Sequence, residues 1–348
     1  MRYLPIVKLK PGMVLGQDLF DGEGRMLLRR HFILNKKYID ALGKYGFPGV
    51  YIDDEFTAGI EIEQVLSPEI KCHTLKVIHD FFLSDDTEMK GQEQEIQEVV
   101  DKIVNEILSD GDVMYNLMNL KSYDDYTFFH SLNVGMLSAV IGVHYHMSEE
   151  ELKILVTAAL LHDIGKKFLN IDVLNAKRAL TKEEQKVVRQ HPKLGYEFLK
   201  RNFNFDSSVC QGVLEHHEWH NGEGYPLQKS GEDISIYARI IRIADVYDAM
   251  TSKRPYHKEL CPADVVEYIM SMNETEFDPE TVEIFVKWIA VYPVGCEVKL
   301  SDGRTAIVEK NTPDFVLRPV IRVLDSGEVI DLKNDVDARH LTIVGLQN

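Results

Sequence analysis

The hydrophobic positions keep no single period along this chain. Residues 6–9, 17–20 and 26–28 form short apolar runs, and Gly12, Gly16, Gly22 and Gly24 fall around and between them. That pattern predicts short strands joined by turns. A helix is predicted over 35–45, and a last strand over 50–52. Further on, Pro68 is placed to open a helix at its first turn. The polar stretch 84–91 predicts a break. Then Ile96, Val99, Val100, Ile103, Val104 and Ile107 recur at helical spacing, so 92–108 presents one apolar face. Such a face packs into a core, onto the next domain or onto a second subunit.

From 121 to 290 the helical period dominates. Ser148 with Glu151, and Thr181 with Glu184, read as capping boxes. The stretches 234–250 and 279–290 complete the run, and no strand alternation interrupts it. After 291 the period shortens again. Runs at 298–300, 305–308, 320–324 and 341–344 are rich in β-branched residues, with Asp302-Gly303 and Ser326-Gly327 as hairpin signals. A small β-rich unit is expected there, five strands closed as a barrel. We therefore divide the chain into an α+β head (1–58), a helical linker (59–120), an all-α domain (121–290) and a β-rich tail (291–348). The fold class is multidomain and mainly α.

Composition narrows the functional classes. The 348 residues exceed one small domain, and 45% hydrophobic content allows a sizeable core. The formal net charge of -17 argues against a nucleic-acid polymer as partner, because gripping a phosphate backbone takes clustered Lys and Arg. A small anionic nucleotide needs only a local cationic pocket. Cys72, Cys210, Cys261 and Cys296 are scattered and form no C-x-x-C pair, which suits reduced thiols in the cytoplasm. The first residues lack the apolar core of a signal peptide, and no apolar run approaches the ~20 residues of a membrane span.

The candidate chemistry sits in the helical segment. His130, His162-Asp163, His191, His216-His217 and Asp245 each fall on or beside a predicted helix. Imidazole with carboxylate suits Zn, Fe, Mn, Ni or Co. One histidine is usually just a satisfied polar side chain, whereas this set within one helical domain predicts convergence on a bundle interior. In His162-Asp163-Ile164-Gly165-Lys166, the His and Asp end an apolar helix, Gly165 allows a sharp turn, and Lys166 brings a compact positive charge. In the string 216–226, HHEWHNGEGYP, a doubled His precedes a loop with two glycines and Tyr225-Pro226.

These strings resemble the HD-GYP family, a branch of the HD phosphohydrolases. The resemblance covers about residues 121–290. It rests on Tyr126-Thr127 with His130-Ser131, HDIGK at 162–166, His191-Pro192, HHEWHNGEGYP at 216–226, ADVYDAMT at 244–251 and Arg254-Pro255-Tyr256. The first 58 residues also look like a small domain often found before HD-GYP domains. The family hydrolyses cyclic di-GMP to pGpG or on to GMP with two or three metals. By motif, His130, His162, Asp163 and Asp245 would hold one ion. Asp163 would bridge to a second, held also by His191, His216 and His217.

Three-metal members carry a Glu four residues before the first ligand His. Here that position is Tyr126, so two divalent ions are expected, Fe or Mn foremost with Ni, Co and Zn compatible. Asp125 is offset by one residue, about 100° around a helix. The resemblance further implies a metal-bridging hydroxide attacking phosphorus, Lys166 beside the phosphate, and Arg254 forked onto the second phosphate. His257 stands where a cationic residue commonly follows the Arg-Pro-Tyr string. Tyr225 and Asp248 are expected at the substrate, with Asp248 or water as proton donor. Expected partners are cyclic di-GMP or a related cyclic dinucleotide, a second copy of the chain, and a signalling protein at the GYP loop. Two alternatives stay open: a related substrate such as cyclic GMP-AMP, and a receptor that binds without turnover.

Overall fold

The computed structural model describes residues 1–347 apart from 22–24, 46, 48, 61, 63–64, 85–90, 110–113, 115–125, 175, 177 and 253–259, and apart from the side chains of Phe56 and Tyr126. The head begins with β1 (Arg2–Pro5), β2 (Val14–Leu15), β3 (Leu19–Phe20) and β4 (Met26–Leu28), followed by helix α1 (Lys36–Lys44) and β5 (Gly49–Asp53). The first strand lies earlier than the 6–9 run predicts. Pro5 has no N–H to continue the ladder, and Ile6–Lys8 coil into one 3-10 turn. β1 and β2 flank β5 in an antiparallel sheet with Arg2 opposite Ile52, and β3 pairs with β4. Asn35 caps α1 by accepting from the Tyr38 N–H, and Ile39 and Leu42 press onto Leu4, Leu15 and Val50.

The helical body starts with α2 (Pro68–Leu83) and α3 (Gln92–Ser109). The apolar stripe of α3 is fully buried, on the same core as the helices that follow. These are α4 (Tyr126–His144), α5 (Glu149–Leu161), α6 (Ile171–Leu174), α7 (Lys182–Val188), α8 (His191–Asn202), α9 (Ser207–Glu215), α10 (Ile236–Thr251), α11 (Pro262–Ser271) and α12 (Pro279–Trp288). Both capping boxes form as the sequence indicates, at the starts of α5 and α7. Helix α10 is the hub. It packs on α4, α5, α9, α11 and α12, and Ile240, Ile241, Ile243, Ala244 and Tyr247 are sealed from solvent.

The tail supplies β6 (Glu297–Leu300), β7 (Thr305–Lys310), β8 (Val320–Val323), β9 (Val329–Asp331) and β10 (Ile343–Leu346). They form one antiparallel sheet in the order β10-β6-β7-β8-β9. Among the described residues no ladder joins β9 to β10, so the sheet is open rather than a closed barrel. Its inner face shares the core of the helical body through Val298, Leu300, Ile321 and Val323. Head and tail also meet. The Tyr3 N–H donates to Gly295 O at 2.9 Å, Arg2 bridges Asp54 and Glu297, and Tyr3, Tyr51, Ile62 and Cys296 form a small apolar cluster between them.

Candidate metal centre

Five helices each bring a ligand-type side chain to one buried place. His130 comes from the first turns of α4, and His162-Asp163 from the end of α5. His191 opens α8, His216-His217 follow α9, and Asp245 lies in mid-α10. Such helix-end positions project side chains inward while the helices themselves carry the core. The groups fall into three overlapping sets whose candidate ligand atoms lie within 4.8 Å of one another. These are His130, His162 and Asp245, then His162, Asp163 and His216, then His191, His216 and His217. The middle set shares His162 with the first and His216 with the third, so the cluster is continuous.

The imidazoles are fixed from behind. His162, His191 and His216 each have Nδ1 at 2.7–2.8 Å from the backbone carbonyl three residues earlier, of Ala159, Val188 and Val213. A carbonyl only accepts, so these three Nδ1 atoms carry the proton and their Nε2 lone pairs face inward. His130 is fixed by a side chain instead, with Nδ1 at 2.7 Å from Asp248 Oδ2. Its Nε2 lies 3.1 Å from Asp245 Oδ1. Asp163 is central, 3.4 Å from His162 Nε2 and 3.2 Å from His191 Nε2, and it pairs with Lys166 Nζ.

Among the described residues, the cluster's buried His162 Nε2 and Asp163 Oδ1 have no hydrogen-bond partner. A buried polar atom without a partner is costly, and a cation between nitrogen and carboxylate donors removes that cost. The donor set therefore fits divalent ions. The electrostatics agree. Burial alone would raise the Asp163 and Asp245 carboxyls, yet Lys166 and two imidazoles hold Asp163, and His130, His162 and His217 hold Asp245, well below the usual carboxylate range. Burial, reinforced by the neighbouring imidazoles, keeps His216 and His217 well below the usual histidine value, hence neutral. Burial also opposes protonation of His130, but its hydrogen bonds to Asp245 and Asp248 raise it to about 9.

Other expected site residues fall differently. Asp248 lies behind His130. It is fully buried, with Oδ2 on His130 and Oδ1 accepting from Asn133 Nδ2 at 2.7 Å. Lys166 is half-exposed and bound to Asp163. The Tyr225 ring stacks on His217 with centroids 4.7 Å apart, and the Arg189 guanidinium lies 5.1 Å from the Tyr225 ring centroid. Arg254, His257 and Asp125 lie outside the described residues, as does the side chain of Tyr126. Gly165 serves by absence of bulk rather than by a special turn. A Cβ there would lie 1.9 Å from His191 O. In the 216–226 loop, Gly222 has φ +84°, while a Cβ on Gly224 would strike Trp219 N at 2.2 Å.

Sequence reasoning missed several supports. Buried Glu218 accepts from the Leu227 and Lys229 N–H groups, and buried Glu215 from the Ser235 N–H, which together pin the glycine loop. Asn133 follows His130 by three residues, and Arg242 precedes Asp245 by three. Neighbours on one helix face at that spacing were a usable signal. Arg242 Nη1 lies 3.0 Å from His217 Nδ1, and Nη2 pairs with Glu276.

The description "HD domain" fits residues 102–281, about half of the chain. The chain is 34% identical over 230 residues to the cyclic di-GMP phosphodiesterase PA4108 of Pseudomonas aeruginosa, covering 66% of this chain and 55% of that protein. It is 30% identical over 178 residues to the 3'3'-cGAMP-specific phosphodiesterase 2 of Vibrio cholerae, covering 51% and 34%. The chain spans about half the length of the curated relatives it matches. Among solved structures, Bd1817, an HDG"Y"P protein from Bdellovibrio bacteriovorus, shares the fold with TM-score 0.50 at 13% identity, covering 81% of this chain and 97% of that one. Among the described residues, no helix is long and apolar enough to cross a membrane.

Proposed function

This chain belongs to the HD-domain family, and from that premise we propose that it is a metal-dependent phosphodiesterase that opens cyclic di-GMP. The observation that carries the reading is the continuous set of inward-facing donors from five helices, joined through His162 and His216. His130, His162, Asp163 and Asp245 would hold one divalent ion, and Asp163, His191, His216 and His217 a second, with iron or manganese the best match to imidazole and carboxylate. Ions bound there acidify water and draw charge from phosphate oxygens.

The chain's own residues do the rest. Carbonyls hold His162, His191 and His216 in the tautomer that turns Nε2 inward, and Asp248 orients His130 through Nδ1. Lys166, beside Asp163, offers a positive charge where a phosphate oxygen can sit. Tyr225 covers the outer face of His217 and excludes water from it. Arg254 and His257, outside the described residues, are the proposed contacts to the second phosphate. Hydrolysis adds one water across a P–O3′ bond and yields pGpG, and a second round yields GMP. The head and tail regulate or associate, and the protein works in the cytoplasm.

Purified protein supplied with Mn(II), or with Fe(II) under anaerobic conditions, is expected to convert cyclic di-GMP to a linear product. Chelation and His162→Ala should each abolish this. Undiminished turnover by a metal-free His162→Ala/Asp163→Ala protein would end the proposal. A second reading, cyclic GMP-AMP as substrate, is supported by the 30% identity to a relative named for it. Parallel kcat/KM measurements on both dinucleotides decide between them.

A further inference from the structure

His217 differs from the other imidazoles of the cluster in what lies behind it. His162, His191 and His216 each present Nδ1 to a carbonyl, and His130 presents it to a carboxylate. The Nδ1 of His217 instead faces Arg242 Nη1 at 3.0 Å. A guanidinium only donates. The lone pair of His217 is therefore on Nδ1, turned toward arginine, and in the neutral ring the proton is on Nε2. A neutral imidazole has one in-plane lone pair, so arginine and an ion cannot both use it.

Arg242 is also well anchored. Its Nη2 pairs with Glu276, a buried carboxylate that also accepts from Tyr268 Oη at 2.6 Å. Nη1 stands 3.9 Å from Asp245 Oδ2, so the positive charge lies beside a second member of the cluster. The side chain is largely buried, where screening by water is weak.

From this geometry we infer that Arg242 is a positioning residue that competes with the second metal ion for His217 and so makes the two ions bind with unequal affinity. The inference rests on the proposed metal centre. Binding of the second ion requires the Arg242–His217 hydrogen bond to break, the ring proton to move or leave, and a cation to settle near a fixed guanidinium. The first ion, at the His130, His162 and Asp245 end, breaks no arginine–imidazole hydrogen bond and meets the guanidinium only at 3.9 Å, through Asp245 Oδ2.

Calorimetric titration of the chelator-treated full chain with Mn(II) tests this. Wild-type protein is expected to bind two ions in steps separated by tenfold or more in Kd. In Arg242→Gln the second step should tighten at least tenfold while the first stays within twofold. Arg242→Lys, which keeps the charge, should leave the second step weak. If Arg242→Gln does not fold by circular dichroism, Arg242→Gln/Glu276→Gln removes both buried charges and is read the same way. A second step unchanged or weakened in the folded variant would overturn the role of Arg242 alone. Wild-type protein that takes up no ion would overturn the metal centre along with it.

Discussion

The two ends of the ligand cluster are supported by different means. At one end His216 leans on a carbonyl of its own helix and His191 on the last carbonyl of α7, as His162 leans on α5 in the middle. At the other end His130, on α4, depends on Asp248, on α10. A backbone anchor forms whenever the helix forms, and no side-chain substitution removes it directly. A side-chain anchor exists only when two helices dock in register, and one substitution deletes it. The carbonyl anchors of the first end are set by local structure, with only His217 Nδ1 there meeting a side chain of another helix, and the second end is set by tertiary packing.

The largest effect tests what both ends share. His162→Ala removes a ligand from two of the three sets, and turnover of cyclic di-GMP should fall beyond about a thousandfold in a steady-state assay. Next, the carbonyl-held end can be broken through its packing. Gly165→Ala drives a methyl into His191 O and Gly195 N, and denaturant unfolding should show a loss of about 3 kcal/mol or more. The carboxylate-held end breaks more selectively. Asp248→Asn should weaken ion binding by about 10–100-fold in a titration while thermal stability changes little by comparison. Equal weakening from Asp248→Asn and from a substitution remote from His130 would erase the contrast.

Smaller effects bound the comparison from outside. Ser148→Ala removes the cap of α5 and should cost about 1 kcal/mol in unfolding with ion affinity unchanged. Asp278 gives the smallest signal, as a pH dependence. Burial opposes its ionisation, but hydrogen bonds from Thr281 and Arg239 keep its folded carboxyl below the ordinary 3.8. Its stabilisation is therefore complete above that value and is lost as pH falls through the lowered one. The melting-temperature gap between wild type and Asp278→Asn should be constant near neutrality and shrink in strong acid.

Much of this contrast was legible in the chain. The capping boxes, the α3 stripe and the His-Asp and His-His doublets at helix ends are local patterns, and local structure reproduces them. Asp248 was noticed, but its motif does not say which way it faces. Only the docking of α10 on α4 sets that. Glu276 offers no spacing signal to Arg242, since it lies in the loop before α12. The first strand was misread by a few residues because apolar content at 6–9 outweighed the position of Pro5. The fifth tail strand, β9, is three residues long, too short for a periodicity to show.

The contact of head with tail carries a consequence for biosynthesis. Arg2 meets Glu297 across 295 positions of chain. During translation the first strands leave the ribosome long before their docking surface exists. Arg2 and the Tyr3 edge of the sheet must wait, water-exposed, while the whole catalytic body is made. Full attachment of the head is thus a late event of maturation, and a ribosome stalled anywhere before β6 holds a nascent chain whose head lacks its Gly295 and Glu297 partners.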